Sequence, residues 1–283
     1  MQAEMEIGTC PMCGGNAPIP SPYCDEPFRV VRCGSCRLWY LSPRLTAEAM
    51  SVFYRGESYF SGKDTGYADY RKQEKSLRLT FRRLLRKISS QGAIRDRLLE
   101  VGSGLGYFLD EARGYFQYRS GIELSPEAAK CAADLSGATM YDSVSALPSE
   151  AQFDCIVALH VIEHIYEPVA FLRQLARHLA PGGILVLAAP DMGSFWRHAM
   201  GRYWPSFKYP EHVSFFDSRT LARLISEAGF SNPRRLPYLH DFPLSEILGK
   251  LGLKAPRLSD RLRLPLPATT VCYAAELSAS TPA

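Results

Sequence analysis

The stretch RDRLLEVGSGLGYFLDEA (residues 95–112) reads as a strand, a glycine-rich turn and a helix in immediate succession. Arg97 to Val101 is short, apolar and bounded by turn signals, as a buried strand is. From Leu105 the period changes, with Leu109 and Ala112 on an inward helical face. Between them lies Gly102-Ser103-Gly104-Leu105-Gly106. A turn of this kind brings a ligand close to the backbone at the positive end of a helix. The pattern is Glu-x-Gly-x-Gly-x-Gly, and a dinucleotide fingerprint would carry its third glycine one residue later. The Glu100 carboxylate is a poor neighbour for pyrophosphate and suits a ligand that carries an amino group.

The next unit, QYRSGIELSPEAAKCAADL (117–135), repeats the strand-to-helix change. Its strand ends at Glu123, where a carboxylate is placed to accept hydrogen bonds from two ribose hydroxyls. Ser125 reads as the helix N-cap and Pro126 as the first helical residue. ATMYD, FDCIVALHV, EPVAFLRQLARHLAPGG and ILVLAAP continue the alternation. Strands alternating with helices predict an α/β fold with a doubly wound, mostly parallel sheet.

Two Cys-x-x-Cys hooks precede this region, CPMC (10–13) and CGSC (33–36), with 19 residues between them. Cys10, Cys13, Cys33 and Cys36 have the spacing of a four-thiolate zinc site, with reduced thiols or a redox pair as the alternatives. Four thiolates leave no open position, so the zinc would be structural. Gly14 and Gly34 are expected to permit the bends. The predicted organisation is a zinc module over 1–45, a helical linker or lid over 46–92 and the main domain over 93–283. In the linker, RKQEKSLRLTFRRLLRKISS (71–90) puts Leu77, Phe81, Leu84, Leu85 and Ile88 on one helical face. The other face carries Arg78, Arg82, Arg83, Arg86 and Lys87, an anion or RNA contact or simply a solvated face.

The bulk numbers are permissive. A net charge of +4 with 22% charged residues demands no nucleic-acid partner. The apolar runs CIVALHVI and ILVLAAP are too short to cross a bilayer. MQAEMEIGTC lacks the basic start and apolar core of a signal peptide, so a cytoplasmic location is expected. Residues 240–267 combine apolar and basic side chains and could cover the site, touch a membrane surface or form a satellite helix.

From Leu98 to about Phe230 the chain resembles the class I S-adenosylmethionine-dependent methyltransferases. The resemblance rests on EVGSGLG (100–106), IELS (122–125), FDCIVALHVIEHI (153–165), LAPGGILVLAAPD (179–191) and HVSFFDSRTLARLISEAGF (212–230). It implies a seven-stranded Rossmann-like sheet with S-adenosylmethionine across its C-terminal strand ends. Glu100 with Gly102, Ser103, Gly104 and Gly106 would hold the methionine end, Glu123 the ribose and Asp142 the adenine side. His160 would meet the cofactor through its backbone.

Methyl transfer requires an aligned nucleophile and usually a base. The turn HVIEHI carries His160, Glu163 and His164. His160 and His164 fall on one face if the turn is helical, and with Glu163 they could also hold a metal. The insertion DMGSFWRHAMGRYWPSFKYPEH (191–212) carries Trp196, Tyr203, Trp204, Phe207 and Tyr209 among its aromatic residues and is expected to form a substrate wall. The hooks, CRLWYLSPR (36–44), GYADY (66–70) and YPEH (209–212) resemble zinc-containing sugar C-methyltransferases. That resemblance implies Tyr209, Glu211, His212 and His164 around the acceptor, with His212 as the base, Glu211 orienting it and Tyr67 assisting. Related small-molecule O-methyltransferases share the hooks. The expected function is methylation of a small molecule, a sugar, glycolipid or secondary metabolite, chiefly on oxygen. C-methylation of a nucleotide-linked keto-sugar is the alternative. An rRNA methyltransferase gripping RNA through the zinc module is a further one, although no Asn/Asp-Pro-Pro-Tyr motif follows strand four. A non-catalytic cofactor-binding protein is the last.

Overall fold

In the computed structural model, which describes residues 4–55, 67–90, 96–244 and 262–278, the glycine-rich turn leaves an inner strand of a seven-stranded sheet. The N-terminal elements are β1 (Met5–Glu6), β2 (Pro18–Asp25), β3 (Phe28–Cys33), β4 (Trp39–Leu41) and β5 (Arg44–Leu45). Helices α1 (Ala47–Arg55), α2 (Tyr67–Lys72) and α3 (Glu74–Ser90) follow. The alternating region comprises β6 (Arg97–Val101), α4 (Tyr107–Glu111), β7 (Tyr118–Ile122), α5 (Pro126–Ser136), β8 (Thr139–Tyr141), β9 (Phe153–Leu159), α6 (Pro168–Ala176) and β10 (Leu179–Pro190). The chain continues through α7 (Phe195–Met200), β11 (Ser214–Phe215), α8 (Ser218–Glu227), β12 (Phe230–Arg235), β13 (His240–Pro243), β14 (Arg263–Leu266) and β15 (Thr270–Leu277).

The large sheet runs β12-β15-β10-β9-β6-β7-β8. Its first five strands in chain order pair in parallel, and β15 is antiparallel to both β10 and β12. This is the predicted doubly wound, mostly parallel α/β sheet. Leu98, Leu99, Ile156 and Val157 are almost fully buried because helices cover both faces, hence the unbroken apolar runs. Strand order reverses between β6 and β9, where such sheets hold ligands beyond their C-terminal ends. Local chemistry fixes the helix starts. Ser125 accepts from the Ala128 amide at 3.3 Å, and Asp217 forms a capping box with Thr220.

The basic helix resolves into two pieces, α2 and α3, separated at Gln73. Its apolar face is buried as predicted. Its arginines are largely committed within the molecule. Arg78 pairs with Glu74, Asp110 and Glu111, Arg82 with Glu111, and Arg83 with the buried Asp241. Most of this face is therefore a seam against α4 and β13, not an RNA grip. Residues 245–261 of the predicted 240–267 cover, and the Tyr67 side chain, lie outside the described set. Among the described residues, no helix is long and apolar enough to cross a membrane.

A four-stranded sheet ordered β11-β4-β3-β2 joins the N-terminal module to the main domain. Its edge strand β11 comes from HVSFF, with Ser214 opposite Tyr40 and Phe215 opposite Trp39. The Leu41 amide donates to the Val213 carbonyl, and the Val213 amide donates to the Glu163 carbonyl. One backbone ladder thus runs from the module to the end of β9.

Candidate active site

The turn after β6 is tight because its glycines are approached from both sides. Gly102, Gly104 and Gly106 all have positive φ. A Cβ on Gly102 would lie 2.5 Å from Val161 Cγ2, and one on Gly106 would lie 2.7 Å from Ala132 of α5. The first glycine therefore lets the turn meet the loop after β9, and the third lets helix pack on helix. Gly121 in β7 was not singled out in the sequence, yet a Cβ there would collide with Ser103. A glycine inside a strand is the signal that marks it.

Two carboxylates face this turn. Glu123 accepts from the Gly104 amide at 2.8 Å and the Ser125 amide at 3.0 Å. Glu100 is buried, and its Oε2 has no hydrogen-bond partner. Burial first, and the Glu123 charge second, push the Glu100 carboxyl well up. A buried acceptor lacking a donor costs stability, and an incoming ammonium group would satisfy it. The Tyr70 ring stacks on Tyr107 with centroids 5.4 Å apart, and burial followed by the Glu100 charge raises its hydroxyl pKa. Asp142 is exposed after β8 and accepts from the Ser143 hydroxyl. These residues have the donor and acceptor types that the amino acid and ribose ends of S-adenosylmethionine require.

The loop after β9 adopts a different shape from the predicted helical turn. His160 has φ +56°, its amide donates to the Ala188 carbonyl, and a single 3₁₀ turn spans Ile162–His164. His160 consequently turns its ring edge toward Tyr238, while His164 meets His212 edge-on with centroids 4.7 Å apart. The trio that converges is Glu163, His164 and His212, with ligand-type atoms all within 4.8 Å of one another. Burial opposes a charge on Glu163. The neighbouring histidines, led by His160, outweigh it and bring its carboxyl down to about 2. Burial first, then His164, pushes the His212 imidazole down to about 3, and burial also lowers His164. At neutral pH the set is one carboxylate with two neutral imidazoles.

Backbone carbonyls fix the tautomers. His212 Nδ1 lies 2.8 Å from the Ser206 carbonyl, and His164 Nδ1 lies 3.1 Å from the Glu211 carbonyl. A carbonyl only accepts, so each Nδ1 carries the proton and each Nε2 keeps its lone pair. Ser206, not Glu211, therefore orients His212. The expectation for Tyr209 also changes. Its ring stacks on Phe28 and Phe207, in a cluster where Phe207 also meets Tyr23, Trp204 and Phe215. Much of the predicted substrate wall is an aromatic seam that fastens the module to the main domain. The sequence assigns no role to Tyr238, and it reads Glu163 only as a metal-ligand candidate with His160 and His164. Tyr238 is buried against the His160 ring, with centroids 5.8 Å apart, and burial first, then the charges of Cys272, Glu163 and Glu100, raise its hydroxyl pKa.

The four hook cysteines converge as well. Cys10 and Cys36 sulfurs are 3.4 Å apart, and Cys13 and Cys33 sulfurs 3.6 Å. Tetrahedral zinc with bonds of about 2.3 Å would set sulfurs roughly 3.8 Å apart, so the cluster fits that ion. Gly14 supplies a left-handed bend at φ +69°, but in the second hook Arg37 does so at φ +71°. Gly34 is needed instead because a Cβ there would lie 3.0 Å from the Ala17 carbonyl.

A methyltransferase-domain family model (Methyltransf_23) matches residues 68–233. A ubiquinone biosynthesis O-methyltransferase of Xanthomonas oryzae is 33% identical over 100 residues, covering 32% of this chain and 42% of that protein. A probable S-adenosylmethionine-dependent methyltransferase of Mycolicibacterium smegmatis is 29% identical over 103 residues, covering 36% and 38%. The chain thus spans less than half the length of these relatives. Among solved structures, a possible histamine N-methyltransferase of Thermotoga maritima superposes with TM-score 0.54 at 19% identity, over 75% of this chain and 96% of that one. Magnesium protoporphyrin IX methyltransferase of Synechocystis, with bound SAH, gives 0.54 at 13% identity, over 82% and 100%. These two likenesses show the fold. With the family model covering more than half of the sequence, the chain belongs to the methyltransferase-domain family.

Proposed function

We propose that the protein methylates a hydroxyl group on a small molecule, with His212 as general base. The observation that carries this reading is the trio of buried Glu163, half-buried His164 and buried His212, held beside the glycine turn by the close approach of Val161 to Gly102. S-adenosylmethionine supplies a methyl group already activated on a sulfonium sulfur. The protein's tasks are to bind it, to exclude water and to take one proton from the acceptor. Glu100 and Glu123 bind the amino and ribose groups, the amides of the 102–106 turn line the same end, and Asp142 serves the adenine side. His160 closes the turn through its backbone. At the acceptor, His212 Nε2 takes the hydroxyl proton as the oxygen attacks the methyl carbon. The Glu163 carboxylate stabilises the imidazolium so formed. His164 positions His212 by edge contact, and the Glu211 carbonyl positions His164. Tyr209 anchors the segment through its stacking partners. Structural zinc on Cys10, Cys13, Cys33 and Cys36 holds the 1–45 module, and through β4 it holds the strand that follows His212.

Incubation with methyl-labelled S-adenosylmethionine and a panel of sugars, nucleotide-linked sugars and phenols tests the reading. Label is expected in a methyl ether of one small-molecule class. Label on carbon would move the chemistry to C-methylation, and label in RNA alone would overturn the proposal.

A further inference from the structure

The three side chains that serve as a base and its supports are also the donor set of a metal site. We propose that Glu163, His164 and His212 bind a divalent transition-metal ion of the zinc type, with a further coordination position left to water. This goes beyond the acceptor chemistry proposed above and does not depend on it.

The donors are of the right kind. Glu163 offers a carboxylate and each histidine an imidazole, and their ligand-type atoms lie within 4.8 Å of one another. Two imidazoles with one carboxylate suit zinc, cobalt or ferrous iron, whereas magnesium and calcium take oxygen ligands. Three protein donors leave a position open, unlike the four thiolates of the hooks. Glu163 points to an ion most strongly. It is 1% exposed, and neither of its carboxylate oxygens accepts a hydrogen bond from the described residues. His160 Nδ1 stands 3.5 Å from Oε1, beyond hydrogen-bond range. Burying an ionised carboxylate without such a bond is costly. A divalent ion supplies both the opposite charge and the missing bond.

The imidazoles are held as ligands are held. His212 Nδ1 lies 2.8 Å from the Ser206 carbonyl and His164 Nδ1 3.1 Å from the Glu211 carbonyl. A ligating histidine characteristically gives its second N–H to such an acceptor, which fixes the ring and leaves the other nitrogen for the metal. The backbone keeps the three residues together. Glu163 and His164 share one 3₁₀ turn, and the Val213 amide donates to the Glu163 carbonyl at 2.9 Å. Tetrahedral zinc with bonds of about 2.0–2.1 Å sets its donors roughly 3.3 Å apart. Closing the trio to that spacing takes a movement of at most about 1.5 Å, which rotation about the Glu163 side-chain bonds provides. His212 Nε2 has one lone pair, so an ion bound there excludes the acceptor proton and blocks the base. With one donor fewer and no thiolate, the trio holds zinc less tightly than the hooks do. The protein as isolated therefore carries zinc on the cysteines alone, and added ion fills the trio.

The test uses the full chain with its cysteine zinc in place, freed of loose metal by gel filtration and titrated with cobalt(II). Visible absorption and calorimetry follow the titration. One equivalent of cobalt is expected, with the weak visible bands of nitrogen and oxygen ligands and without the intense near-ultraviolet band of thiolate-bound cobalt. Zinc should displace it, and magnesium at about a hundredfold higher concentration should not. Glu163→Gln removes the charged donor. His164→Asn and His212→Asn remove Nε2 but keep an N–H near the place of Nδ1, and so keep the bond to the backbone carbonyl. Each of the three should weaken cobalt binding by about tenfold or more. Cysteine zinc should stay at one per chain in all of them, which separates loss of a donor from loss of the fold. His198→Asn, outside the trio, should leave cobalt binding unchanged. Absence of a second equivalent, a thiolate band, or binding unchanged in the three variants overturns the proposal. Equal weakening by His198→Asn overturns it in favour of unspecific adsorption on histidines. The titration needs no acceptor, so failure to methylate small molecules leaves the metal site standing, and failure to bind cobalt leaves His212 as the base.

Discussion

The proposed cofactor end and the proposed acceptor end stand on neighbouring strands, β6 and β9, yet they are assembled from very different spans of chain. Glu100, the glycine turn and Glu123 lie within 24 consecutive residues, held by two strand-to-helix units. His212 meets Glu163 only because β11 joins a sheet whose other strands come from residues 18–41. The first end is a property of a local motif. The second is a property of the docking between module and domain. Each should fail in its own way, and that difference can be broken experimentally.

The largest effect is expected from the metal. Structural zinc contributes on the order of 10 kcal/mol in small modules. Cys36→Ser should abolish zinc retention, loosen the β4–β11 pairing and reduce transfer about a hundredfold through misplacement of His212. S-adenosylmethionine affinity should stay near that of the parent. Elemental analysis together with equilibrium binding checks both halves. Parallel loss of cofactor binding would show that the two ends are not independent. One zinc per chain is expected. A second equivalent that survives Cys36→Ser and disappears in His212→Ala would place a metal on the Glu163, His164 and His212 donors.

Next in size is the cofactor end. Glu100→Gln removes the charge that an ammonium group seeks, and charge-assisted hydrogen bonds contribute about 1.5–3 kcal/mol. S-adenosylmethionine should bind roughly ten- to a hundredfold more weakly. The variant should be equally or more stable without ligand, because a buried unpartnered carboxyl is lost. Calorimetry and a denaturant midpoint measure the two effects.

A comparable but more graded effect is expected from pH. His212 falls to about 3 in the folded protein from an ordinary 6.5. The unfolded chain therefore binds a proton that the folded chain refuses. The resulting stability is fully present above pH 6.5 and is lost as pH falls toward 3, by at most about 5 kcal/mol. Urea midpoints between pH 7 and 4.5 should fall steeply in the parent and less steeply in His212→Gln. Equal slopes would remove the buried neutral imidazole from the account. The base is also in its proton-accepting form throughout this range, so its own protonation should not limit turnover down to about pH 5.

The smallest effect belongs to the helix that packs behind the cofactor end. Arg78→Ala breaks three ion pairs in a partly buried position and should cost about 1–2 kcal/mol without changing cofactor affinity more than a few-fold.

Legibility in the sequence followed the same division. The mostly parallel sheet and the glycine turn at its strand end were readable because period and turn chemistry are local. The cysteine spacing likewise announced its cluster. The attachment of the module was not readable. HVSFF and WYL each alternate as short strands do, but nothing local pairs residues 39–41 with 213–215. For that reason Phe207 and Tyr209 were expected on a substrate wall when they pack on Tyr23 and Phe28 of the module. Glu211 was expected to orient His212, when the Ser206 carbonyl does so from six residues away. His160 and His164 were expected on one face, and a left-handed residue at 160 prevents it.

The most direct test of the acceptor end compares the parent with His212→Ala at saturating labelled S-adenosylmethionine, with cofactor affinity measured on the same samples. The account predicts that methyl transfer falls about 10²- to 10⁴-fold, as loss of a general base does, while the dissociation constant changes by less than about twofold. Undiminished transfer by His212→Ala would contradict it.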